Sequence, residues 1–72
     1  MACIGPQGEL TESARKMLTA LESPSSPEDV ASRTSLPLFR VRAGLRELAE
    51  GELVTMINSL YTPTDRGRSL LA

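Results

Sequence analysis

Four arginines, Arg33, Arg40, Arg42 and Arg46, fall between Val30 and Arg46 with no aspartate or glutamate among them. A guanidinium group is a planar fork of five donors that stays charged at any ordinary pH, and it suits phosphate oxygens and the edge of a guanine base. The segment carries +4, while the rest of the chain sets four basic residues against nine acids, for −5, and the net charge is −1. A polyanion is attracted by charge gathered on one face rather than by the total. The local count therefore points to nucleic acid where the whole-chain charge would not. Phe39, one of only two aromatic residues, lies among these arginines.

Other chemistries are poorly served. Without histidine there is no imidazole for general acid–base work or for transition-metal ligation. Cys3 is the single cysteine, so it forms no internal disulfide and no multi-cysteine metal site, which fits a reducing compartment. There is no glycine-rich phosphate loop and no carboxylate pair beside a recognisable pocket, so neither an enzyme nor a cofactor is expected. No apolar run is long enough to span a bilayer, and the first residues lack the basic-then-apolar pattern of a secretory signal. The expected location is cytoplasmic.

Seventy-two residues allow one small domain. Residues 1–9, with two glycines and a proline and no periodicity, read as a flexible N-terminal arm, which leaves 10–72 as the domain. Leu10, Ala14, Met17, Leu18 and Leu21 form a helical stripe, with Thr11 as N-cap and Glu12 at the positive end of the helix dipole. In "SPSSPED", Ser26 suits an N-cap, Pro27 the first helical position and Asp29 a capping box. A second helix should run from Pro27 to about Arg33, with Val30 and Ala31 inward. A tight "RTSLP" turn then leads to a third helix opened by Pro37 and stopped at Gly51. Its core face is Leu38, Val41, Leu45, Leu48 and Ala49; Arg40, Ala43 and Glu47 point away, Arg42 and Arg46 flank the stripe, and Gly44 permits close approach. Leu53, Val54, Met56, Ile57, Leu60 and Tyr61 around "NS" read as a short hairpin ended by Pro63. Thr64 would cap a short final helix carrying Leu70 and Leu71, which Gly67 weakens.

Short helix, tight turn, longer basic helix and two-stranded ribbon resemble the winged helix-turn-helix family, in particular small prokaryotic transcription-regulator domains. The residues that carry the resemblance are Ala31, the turn Thr34-Ser35-Leu36, then Val41, Leu45 and Leu48, then Leu53-Val54. The ending "YTPTDRGRSLL" is similar to the family's exit from the wing into a helix. The fold class is therefore expected to be mainly α with a small β-hairpin, a three-helix core plus a wing. Three departures stand out: Ser35 replaces the turn glycine, Glu52 occupies the position of a glycine before Leu53-Val54 unless the helix ends earlier, and the hairpin tip is uncharged.

The resemblance implies sequence-specific binding of double-stranded DNA by a transcriptional regulator, with the third helix in the major groove. Arg40 and Ala43 would face base edges, with Phe39 beside them and Pro37 at the helix entry. Arg42 and Arg46 would take phosphates, and Arg33 and Thr34 would add backbone contacts. Arg66 and Arg68 are further candidates. One copy offers few phosphate contacts, so a homodimer is expected, pairing through helix 1 and the terminal segment. The alternative is a protein-interaction adaptor on the same scaffold, with Phe39 as its anchor. Phe39 thus has three readings: thymine-methyl reader, partner anchor or core residue. The arginines have a plain alternative as a solvated helix face.

Overall fold

The computed structural model describes residues 10–71; the expected arm at 1–9, with Cys3, lies outside them. The order is α1 (Glu12–Ala20), α2 (Pro27–Thr34), α3 (Leu38–Glu50), β1 (Val54–Ile57), β2 (Leu60–Pro63) and α4 (Asp65–Leu71). The chain is thus mainly helical, with a two-stranded antiparallel hairpin. No helix among the described residues is long and apolar enough to cross a membrane.

Each helix starts where a side-chain oxygen takes an otherwise unpaired backbone N–H. Thr11 Oγ1 accepts from the Ala14 N–H at 3.3 Å, Ser26 Oγ from Asp29 at 3.2 Å and Thr64 Oγ1 from Gly67 at 3.1 Å. The exception is α3, where Pro37 is the N-cap and not the first helical residue, and no side chain caps the end.

Leu10, Ala14, Met17, Leu18, Leu21, Val30, Val41, Leu45, Leu48, Leu53 and Val54 form one continuous core. Leu38, expected there, is half-buried and outside the cluster. It lies in the first turn of α3, at the helix end, and Leu36 enters from the preceding turn to pack on the core instead. That turn reverses at Ser35, in the left-handed region at φ 60°.

Two left-handed residues form the hairpin loop, Asn58 (φ 54°) and Ser59 (φ 66°). This is the twist that two-residue hairpins require. It sets the register Ile57↔Leu60, Met56↔Tyr61, Thr55↔Thr62 and Val54↔Pro63. A third segment joins the sheet: Ser25 forms an antiparallel bridge with Tyr61, its N–H donating to Tyr61 O at 3.0 Å and its carbonyl oxygen accepting from the Tyr61 N–H at 2.8 Å.

The end of α3 resolves the question over Glu52. The Leu53 N–H donates to Leu48 O at 2.8 Å and the Glu52 N–H to Ala49 O at 3.0 Å. That pair of bonds is the Schellman arrangement, with Glu52 in the left-handed position at φ 61°. Leu48 and Leu53, both buried, make the apolar contact that accompanies it. Gly67 is required for a different reason. It packs α4 so closely on the hairpin root that a Cβ there would strike the Leu53 carbonyl oxygen.

These two sites predict effects of opposite sign. Glu52→Gly should stabilise the fold by about 1 kcal/mol, because glycine adopts positive φ without a Cβ penalty. Gly67→Ala should destabilise it by roughly 1–3 kcal/mol, the overpacking cost outweighing alanine's better helix propensity. Urea denaturation of the two variants beside the parent checks both.

Candidate nucleic-acid interface

The eight residues singled out by their charge and position divide into three groups. Arg42, Ala43 and Arg46 are exposed on α3, and Phe39 stands out from its first turn with 74% of its surface accessible. The core reading of Phe39 is therefore excluded. Pro37 is exposed where the chain enters the helix. Arg40 is half-buried, less outward than the helical wheel suggested.

Arg33 is committed to the fold. Its Nη1 donates to the buried Ser25 Oγ and, at 3.1 Å, to the Ala20 carbonyl at the end of α1. Ser25 Oγ in turn donates to Ser23 O at 2.9 Å, so this buried hydroxyl is fully used. Thr34 is similarly turned inward: its Oγ1 donates to Val30 O at 2.7 Å and accepts from the Leu36 N–H at 3.4 Å. The Thr34 hydroxyl thus has no donor left for a phosphate, whereas Arg33 has Nη1 tied to the fold and keeps its other guanidinium nitrogens.

Arg42 has an ionic partner. Its Nη2 lies 3.2 Å from Glu28 Oε2, both side chains being more than half exposed. The Glu28 carboxyl is held below its ordinary value, first by a backbone hydrogen bond and further by the Arg42 guanidinium. With Asp29 beside it, Glu28 places negative charge in the first turn of α2, which satisfies the helix dipole but faces the basic helix. An exposed pair of this kind is weak and screened by salt, so a phosphate can replace the carboxylate. Arg46 is exposed and forms no ion pair among the described residues.

On α4, Arg68 lies 3.7 Å from Asp65 and Arg66 is exposed. A further basic surface was not anticipated. An open groove of about 520 Å³ between α1 and α2 is lined by Glu12, Arg15, Lys16, Thr19, Ala20, Arg33 and Thr34. Arg15 and Lys16 stand seventeen or more positions before the arginine cluster in the sequence, and only the packing of α1 on α2 brings them to Arg33. The hairpin contributes no charge: Met56, Ile57 and Leu60 are its exposed large side chains.

No protein-family model, curated protein or solved structure matches this chain. The geometry stands on its own.

The tied and the free arginines should respond differently to truncation. Arg33→Ala leaves the buried Ser25 hydroxyl without its donor and should cost about 1–2 kcal/mol. Arg46→Ala, on an open surface, should stay within about 0.5 kcal/mol of the parent. Thermal melts followed by circular dichroism distinguish the two.

Proposed function

We propose that the chain is a winged helix-turn-helix domain that binds double-stranded DNA as a transcriptional regulator or its DNA-binding part, with α3 in the major groove. The observation that carries this reading is the outer face of α3. There Arg42, Ala43 and Arg46 are exposed on a helix that follows α2 through a tight left-handed turn at Ser35 and leads directly into a hairpin. Arg46 and, once released from Glu28, Arg42 contact phosphates. Ala43 and Phe39 offer apolar contacts to thymine methyl groups, and Arg40 donates to a base edge where the groove draws it out. The uncharged hairpin contributes no phosphate contact of its own.

A second reading, a protein-binding adaptor, is favoured by the distribution of exposed apolar side chains: Phe39 on α3 and Met56, Ile57 and Leu60 on the hairpin. A partner that bound without DNA and was lost on Phe39→Ala would support it.

Fluorescence anisotropy with a labelled random duplex across a salt series tests the DNA reading. Binding should weaken steeply with salt. Arg46→Ala should weaken it uniformly across sequences and reduce the salt slope by about 1. Glu28→Gln should strengthen it, since it frees Arg42 and removes an acid facing the basic helix. Binding that is absent, or indifferent to Arg42→Ala and Arg46→Ala together, rejects α3 as the reader.

A further inference from the structure

The groove between α1 and α2 stands apart from the basic face of α3. It is lined by three cations, Arg15 and Lys16 on α1 and Arg33 on α2, against one acid, Glu12, for a net +2. Arg33 and Glu28 are five residues apart on α2, which is about 140° around the helix. The groove therefore opens on a different face of α2 from the one where Glu28 meets Arg42 of α3.

Its donors are of two kinds. Arg33 is held in place before any ligand arrives, because Nη1 donates to the buried Ser25 Oγ and, at 3.1 Å, to the Ala20 carbonyl. A guanidinium is planar and rigid, so two bonds to one nitrogen restrict the whole fork while Nε and Nη2 keep N–H groups to offer. The entropy cost of ordering that side chain falls on folding and not on binding. The same contact covers a carbonyl at the negative end of α1, a group that would otherwise repel an anion. Arg15 and Lys16, by contrast, are exposed and form no ion pair among the described residues. Both hydroxyls in the groove are already donating, Thr19 Oγ1 to Arg15 O at 2.8 Å and Thr34 Oγ1 to Val30 O at 2.7 Å. The side-chain donors left for a ligand are the cations.

We propose that this groove binds the terminal phosphate of a small phosphorylated compound, with Arg33 as the fixed fork and Arg15 and Lys16 closing on it from α1. Charge and shape select that ligand. A phosphate monoester carries about −1.5 to −2 near neutral pH and three acceptor oxygens, which matches a net +2 and three donor groups arriving from two helices. A carboxylate brings one charge and two oxygens in one plane. The groove, at about 520 Å³, is of the size that holds a small ligand. Ala20 and the alkyl stems of Arg15 and Lys16 supply apolar surface for the rest of the compound.

Phenyl phosphate, titrated into the chain without DNA at constant ionic strength and followed by NMR amide shifts, tests the site. Saturable shifts should centre on α1 and on Arg33 and Thr34. Arg15→Ala and Lys16→Ala together should weaken binding at least about tenfold, with the helical circular dichroism retained, since both side chains lie on the surface. Glu12→Gln, which removes the one acid of the groove, should tighten it. Benzoate, with the same ring and about half the charge, should bind several-fold more weakly. Shifts centred on α3, equal affinity for benzoate, a dissociation constant unmoved by the double variant, or no saturation by roughly 10 mM overturns the proposal. Because no duplex is present, the result is independent of whether α3 binds DNA.

Discussion

The hydroxyl of Ser25 holds together parts of the chain that sequence keeps apart. It is the one buried polar side chain among the described residues. Its backbone is stitched to Tyr61 in the hairpin, and its Oγ receives the Arg33 guanidinium from the end of α2. Through Arg33 the same contact reaches the last turn of α1. A buried hydroxyl is costly to leave unpaired and rigidifying once satisfied. The connection between α1 and α2 is therefore not a slack link but the joint on which hairpin and helices are set relative to one another. Since α3 ends in the hairpin and starts from the turn after Arg33, both ends of the basic helix are referred to this joint.

That arrangement divides the basic residues by role. Of the four arginines in the cluster, Arg33 is used to build the domain, Arg42 is lent to an acid on α2, Arg40 is half-buried and Arg46 stands exposed. The concentration of positive charge between Val30 and Arg46 is thus larger in the sequence than on the surface. Glu28 both caps the helix dipole of α2 and neutralises part of α3, so any polyanion that docks there must first compete with an intramolecular carboxylate. Such competition lowers affinity for every polyanion alike and leaves discrimination to the contacts that follow.

Local chemistry was legible in the sequence, and long-range chemistry was not. The caps at Thr11 and Ser26 are readable because donor and acceptor lie three residues apart. The apolar spacing of Val41, Leu45 and Leu48 is readable because it follows the helical period. The hairpin is readable from its apolar residues around Asn58-Ser59, and Glu52 from its place after Gly51. By contrast, nothing in "SPSSPED" shows that Ser25 will pair with a strand that arrives much later. Nor does the Arg33 side chain reveal that it will turn back to α1. Leu38 and Leu36 exchange roles because periodicity specifies a direction around a helix but not which end of it the core covers. Gly67, which counted against a final helix on propensity, is the residue that lets that helix approach.

Thr64 gives the hairpin an uneven mechanical character. Its N–H and hydroxyl grip the carbonyls of Leu53 and Glu52 at 3.0 and 2.6 Å, while the same oxygen caps α4, so the two strands are clamped where they leave the helices. Nothing comparable holds the loop end among the described residues. The hairpin is a lever fixed at its base, and its local opening free energy falls from root to tip. Backbone amides near Leu53 and Thr64 then exchange with solvent only on near-global unfolding, whereas those around Asn58 exchange through small, frequent fluctuations. The sheet is stiff where it sets the pose of α3 and compliant where it meets the outside.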